Sequence, residues 1–241
     1  MRRPLPFPAR FIAAHRGSVS AAGINYRENT LDAFNAAIAA GADAIELDVR
    51  RLADGELVVF HDAGIGERRL RTLTRAELDD LVTDRHVPSL QECADALRGR
   101  MLFDVEVKDV DVETDAVEVL RRAGWTPREF VVTSFDASTL ARVRCAWPDL
   151  AIGLLTEDEH LGDAAARATA IDADFLAPHD STIDVETVTE HSVAGLPLVA
   201  WTVNDPLRLR ALLSHSAIAG VITDAVAVAR DARSAGSHHR T

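Results

Sequence analysis

Short apolar or β-branched runs alternate with Ala-, Leu-, Glu- and Arg-rich stretches of helical period along nearly the whole chain. No other feature constrains the fold as strongly. The expected strands are FIAAHR (11–16), AIELDV (44–49), LFDVEV (102–107), FVVTSF (130–135), AIGLLT (151–156), FLAP (175–178), LVAWTV (198–203) and GVITD (220–224). Helical segments such as TLDAFNAAIAAG, TDAVEVLRRAG, ASTLARVRCAWP and PLRLRALLSHS lie between them. Several open on Thr, Ser or Asp suited to N-capping, and two stop at Gly41 or Gly124. Strands separated by helices pair in parallel, and eight such units in 241 residues predict an α/β fold of the TIM-type (β/α)8 barrel kind. Periodicity alone leaves a doubly wound open sheet as the alternative. With no break in composition, one domain is expected over residues 1–241. Its core spans 10–230, and a frayed polar tail (231–241) holds His238 and His239 as loose rather than ligating residues.

A hydrophobic content of 47% supports one substantial core, and 5% aromatic residues make it a core of small aliphatics. The net charge of −12 repels phosphate backbones, so no nucleic-acid partner is expected. Cys93 and Cys145 have neither a CxxC neighbour nor a histidine at metal spacing, and read as ordinary reduced thiols. The N-terminal stretch offers only the four-residue apolar run FIAA, short of a signal peptide, and no run approaches the ~18 residues of a membrane span. A soluble cytoplasmic protein without integral membrane contact is the simplest expectation; oligomeric state is not encoded in these patterns.

One further strand, LVVF (57–60), lies too close to AIELDV for a crossover helix, and Asp54-Gly55 between them is a hairpin signal. An arm after strand 2 is therefore expected. A two-residue turn at Asp54-Gly55 would set Asp48 opposite His61. Glu46 and Asp48, two apart in a strand, share one face, while Ile45, Leu47 and Val49 take the other. Asp104, Glu106 and Lys108 repeat the pattern in MLFDVEVK. A lone strand-end carboxylate ordinarily meets solvent or a cation. Carboxylates on two strands at the catalytic end of a barrel instead suggest all-oxygen ligation of a hard cation, Mg²⁺ or Ca²⁺. His15 and His61 at neighbouring strand ends form a natural acid–base pair, and Arg16 and Lys108 supply cations for an anionic substrate.

The series His15-Arg16-Gly17, ENTLDAFNAAIAAGADAIELDV, DGELVVFHD and VEVK (105–108) resembles the glycerophosphodiester phosphodiesterases. Weaker echoes follow in TSF (133–135), WTVND (201–205) and GVITD (220–224). The resemblance spans residues 11–224. It implies a metal-dependent barrel enzyme hydrolysing glycerophosphodiesters, small-molecule substrates, to sn-glycerol 3-phosphate and an alcohol. Carried onto this chain, it makes Glu46, Asp48 and Glu106 ligands of one divalent cation, His15 and His61 the acid–base pair, and Arg16 and Lys108 phosphate contacts. Trp201 becomes a wall of the substrate pocket. His179, after FLAP at the catalytic end of the barrel, suits either a ligand contact or a loop hydrogen bond.

Two segments depart from the family pattern. The stretch 18–27 is long and places Arg27 where a proline commonly precedes Glu-Asn-Thr; AGIGERRLRT (63–72) lacks the usual Arg-Thr-Thr. Arg68, Arg69 and Arg71 there suit either a charged headgroup or a solvated face. These departures leave open lysophospholipids or other phosphodiesters as substrates, or a silent phosphodiester-binding barrel.

Overall fold

The computed structural model describes residues 2–18, 20–21, 24–186, 188–189 and 193–237. Eight parallel strands, β1 (Phe11–Ala14), β2 (Ala44–Arg51), β3 (Leu102–Val107), β4 (Phe130–Ser134), β5 (Ile152–Thr156), β6 (Phe175–Pro178), β7 (Leu198–Ala200) and β8 (Ile218–Thr223), hydrogen-bond in order. β1 pairs with both β8 and β2, which closes the ring as a TIM-type barrel and removes the open-sheet alternative. Helix α1 (Leu31–Ala40) crosses from β1 to β2. Helices α2 (Arg75–Leu81) and α3 (Leu90–Leu97) precede β3, α4 (Glu113–Arg122) precedes β4, and α5 (Ala137–Ala146) precedes β5. Then α6 (Leu161–Ala170), α7 (Pro206–Ser214) and α8 (Val226–Ser237) follow β5, β7 and β8. Between β6 and β7 the described residues form only the 3₁₀ turn Asp180–Thr182, so that crossover lacks the α-helix of a full βα repeat.

Local chemistry sets these boundaries. Thr30 caps α1 by accepting from the Ala33 N–H, and Gly41 ends it at φ 79°. Thr74/Glu77 and Ser89/Glu92 form capping boxes on α2 and α3, and Asp136 and Asp205 cap α5 and α7. The last helix continues to Ser237, past the expected end of the core. Ala232 is buried there and Arg233 bonds Asp43 and the Arg10 carbonyl, so the helix is docked at least to Arg233. His238 and His239 lie outside the described residues.

Ile45, Leu47, Val49, Phe103 and Val105 face outward into the helix layer, forming the larger hydrophobic core. The opposite faces fill the barrel. Its base is apolar, built from Phe7, Phe11, Phe175 and neighbouring small aliphatics. Large residues fit because their register partners are small: Phe11 pairs with Gly220 and Phe175 with Gly153. A Cβ at Gly153 would lie 2.2 Å from the Phe175 ring. Gly153→Ala is therefore expected to destabilise by at least about 1–3 kcal/mol through overpacking. Urea denaturation measures the loss, and adding Phe175→Leu should recover part of it.

The arm after β2 runs antiparallel over Leu57–Val59, in register Val49 with Val59 and Arg51 with Leu57. That register opposes Asp48 to Phe60, whose N–H donates to the Asp48 carbonyl, and not to His61. The loop has three residues, not two. The Gly55 N–H donates to the Leu52 carbonyl, so Ala53 and Asp54 are central, and Gly55 takes the left-handed position at φ 90°. Asp54 fixes this turn by accepting from the Glu56 and Arg75 N–H groups. His61 follows the arm by one residue and still reaches the barrel mouth.

Candidate active site

The acidic groups sit where the barrel interior changes from apolar to polar. Register pairs Asp48 with Glu106 and Glu46 with Asp104, and all four are buried. Ligand oxygens of Glu46, Asp48 and Glu106 lie within 4.8 Å of one another. One level deeper, Asp104 accepts from the Thr133 hydroxyl at 2.7 Å.

Cations and donors surround this cluster. After β1 the chain makes a tight turn over His15–Gly17 with Arg16 left-handed at φ 53°. The turn aims the Arg16 N–H at Glu46 Oε2 (2.9 Å), while its guanidinium lies 3.3 Å from Asp48 Oδ2 and also bonds Glu28. Gly17 at φ 73° has no room for a side chain, because a Cβ would stand 2.4 Å from the Phe34 ring. Asn29 donates from Nδ2 to Asp48 Oδ2 at 2.7 Å. Lys108 Nζ lies 2.7 Å from Glu106 Oε1 and 3.1 Å from Asp48 Oδ1.

Burial pushes the Glu46 carboxyl well above its usual range, and repulsion from Asp48, Glu106 and Asp104 adds to this. Burial and Asp48 push Glu106 up to about 7 against the pull of Lys108. Asp104 is also raised to about 7, by burial, against the Thr133 bond. Asp48 differs. Burial opposes its charge, yet Lys108, Arg16 and the Asn29 bond outweigh burial and hold it below the ordinary carboxylate range.

His15 and His61 both line the same cavity of about 290 Å³, with Arg16, Lys108, Glu46 and Glu106. His15 Nδ1 is 2.9 Å from Asp224 Oδ1, and Asp224 is held in turn by Asn204 Nδ2 at 2.7 Å. His61 Nδ1 is 2.8 Å from Asp62 Oδ1. In each case Nδ1 is engaged and Nε2 remains for chemistry. Trp201 lines the cavity, its indole N–H donating to the Ala177 carbonyl at 2.7 Å. His179 does not line it. Its ring stands edge-on to Trp201 at 4.9 Å and its Nδ1 meets the Ser181 hydroxyl. Arg68, Arg69 and Arg71 are exposed outside the cavity, Arg68 bonding Glu77, as a solvated face does.

Several contributing residues escape a reading of the sequence alone. Asn29 sits in ENT and Asp224 ends GVITD, but their partners Asp48 and His15 are distant in the chain. Strand parity is the available signal for Asp224, two residues after inward-facing Ile222. Phe135 and Glu157, also on the cavity wall, follow β4 and β5.

The cluster fits a hard divalent cation. Asp48 Oδ1 and Glu106 Oε1 are buried without hydrogen-bond geometry to any partner, although Lys108 is close enough to pair with both. Orphaned carboxylate oxygens converging from two strands are the donor set such an ion takes.

Acidic, cationic and imidazole groups gathered at the C-terminal ends of its strands place this chain among the barrel enzymes. The profile of the Glycerophosphoryl diester phosphodiesterase family matches residues 15–228, and the chain belongs to that family. A glycerophosphodiester phosphodiesterase of Caldanaerobacter subterraneus subsp. tengcongensis is 28% identical over 233 residues, which cover 88% of this chain and 93% of that one. An Oleispira antarctica phosphodiesterase solved with the product sn-glycerol-3-phosphate superposes with TM-score 0.80 at 26% identity, covering 93% of this chain and 96% of that one. A glycerophosphodiester phosphodiesterase from Thermotoga maritima gives 0.75 at 27% identity, over 93% and 98%. No helix among the described residues is long and apolar enough to cross a membrane.

Proposed function

We propose that this chain is a divalent-metal-dependent phosphodiesterase that hydrolyses glycerophosphodiesters to sn-glycerol 3-phosphate and an alcohol. The observation that carries the reading is a single cavity onto which His15, His61, Arg16, Lys108 and the Glu46 and Glu106 carboxylates converge. Glu46, Asp48 and Glu106 would hold Mg²⁺ or Ca²⁺, which when bound supplies Lewis-acid polarisation of a phosphoryl oxygen. Arg16 and Lys108 bind and neutralise the non-bridging oxygens as charge builds in the transition state. One imidazole Nε2 takes the proton of the nucleophile, water or the neighbouring glycerol hydroxyl, and the other gives a proton to the departing alcohol oxygen. Asp224 and Asp62 orient the two rings. Burial opposes charge on Asp224, but the His15 bond holds its carboxyl below the usual range and keeps it an acceptor. Trp201 forms the apolar wall, and His179 acts through Trp201 as a positioning residue. A cytoplasmic setting suits two unpaired cysteines.

The test measures sn-glycerol 3-phosphate release from glycerophosphocholine, glycerophosphoethanolamine and glycerophosphoglycerol. We expect turnover with Mg²⁺ or Ca²⁺ that falls to background in EDTA and returns when metal is restored. No release from any of the three with metal present would mean a silent binder or a different diester.

A further inference from the structure

The cavity that holds the acidic cluster, the two cations and the two histidines is also lined by Thr133, by the apolar Phe135, Leu155, Trp201 and Ile222, and by one further ionisable group, Glu157. Leu155 points into the barrel interior, and Glu157, two residues on, keeps that parity as the chain leaves β5. Its neighbours in sequence are engaged differently: Asp158 pairs with Arg167, whereas no cation among the described residues pairs with Glu157. A lone carboxylate on the wall of a site built for a phosphate diester repels its own substrate. It gains an ionic partner if the alcohol half of that substrate is itself cationic.

The aromatic residues beside it point the same way. Phe135, 46% exposed, meets Trp201 edge-to-face at 5.5 Å and 86°. Trp201 is held by an edge contact with His179 and by the bond from its indole N–H to the Ala177 carbonyl. Two aromatic rings and an unpaired carboxylate lining one cavity are the elements that recognise an ammonium group. Resting on the phosphodiesterase reading, we infer that Glu157, with Phe135 and Trp201, selects glycerophosphodiesters whose alcohol bears a cationic nitrogen, the phosphate end lying against Arg16 and Lys108. The substrate class is thus zwitterionic, with its negative end toward Arg16 and Lys108 and its positive end toward Glu157.

The readout is the ratio of kcat/KM for glycerophosphocholine to kcat/KM for glycerophosphoglycerol, which share the glycerol phosphate half and differ in headgroup charge. Glu157→Gln should lower the ratio about 10-fold and Glu157→Lys further, as expected for a partly desolvated cation losing its carboxylate. Phe135→Leu, which keeps apolar bulk and removes the ring, should lower it about 3-fold on the same grounds. Both sites are exposed, and circular dichroism checks that the variants fold. A ratio unchanged by Glu157→Gln, or rates that fall equally for both diesters, would overturn the inference and place Glu157 against the shared glycerol. If the wild-type enzyme turns over neither diester, the phosphodiesterase reading itself fails, an outcome distinct from an insensitive ratio.

Discussion

His15→Ala and His61→Ala should each lower kcat by about 10²–10⁴-fold, the usual cost of losing a positioned acid or base, while the far-ultraviolet circular dichroism spectrum stays that of the wild type. Neither ring is part of the hydrophobic core; both stand at the mouth with Nδ1 held by an aspartate. Their removal therefore leaves the packing of the barrel intact. On the proposed mechanism the pair acts as a unit, one ring on the nucleophile and one on the departing oxygen, so the double variant should fall well short of the product of the two single losses. A diester with a very acidic alcohol leaves without protonation. On such a substrate the variant lacking the acid should recover most of its rate, and the variant lacking the base should not. Steady-state rates on a 4-nitrophenyl and an alkyl diester make that comparison and assign which histidine is which. Near-wild-type turnover of the alkyl diester by either variant would remove that residue from the mechanism.

The second large effect concerns the metal. Mg²⁺ or Ca²⁺ at 100 times its dissociation constant should stabilise the fold by about 2.7 kcal/mol, if only the folded state binds it. For a chain of this length that raises Tm by about 5–10 °C, readable by calorimetry without any substrate. Glu46→Gln should abolish both the metal-induced rise and turnover. In EDTA, however, the same variant should melt no lower than the wild type. Glu46 is a buried carboxyl crowded by Asp48, Glu106 and Asp104, and an amide of equal size removes one of the repelling charges while keeping an oxygen for the Arg16 N–H. A metal-induced rise that survives in Glu46→Gln would place the ion elsewhere. A large loss of stability in EDTA would make Glu46 a structural residue.

The barrel was legible because its signal is repeated. Eight apolar runs at crossover spacing specify parallel pairing, and two-residue parity in AIELDV and LFDVEV separates the helix-facing side from the interior. The register of the arm was not legible. Asp54-Gly55 signals a turn, but whether those residues are central or one is the left-handed closing residue depends on hydrogen bonds from Gly55 to Leu52 and from Arg75 to Asp54, the latter across 21 positions. The end of the core was misjudged for a related reason. A polar stretch reads as frayed until Asp43, 190 residues away, is found against Arg233. At the site, the residues with strand parity or a local motif were found, whereas Asp224, Asn204 and Asn29, which hold others in place, were not. Glu157 sits in the run EDEH, which looks in sequence like any solvated acidic loop. Only closure of the barrel sets it on the cavity that Trp201 and Phe135 also line.

The phenylalanine packing at the base of the barrel governs traffic. With Phe7, Phe11 and Phe175 filling the interior below the acidic layer, and Gly153 and Gly220 yielding their space to those rings, the barrel is packed beneath the site, which is reached from the C-terminal mouth. On the proposed function, diester, water, alcohol and glycerol phosphate would all share that mouth, and each incoming diester would compete with the departing phosphate product for Arg16 and Lys108.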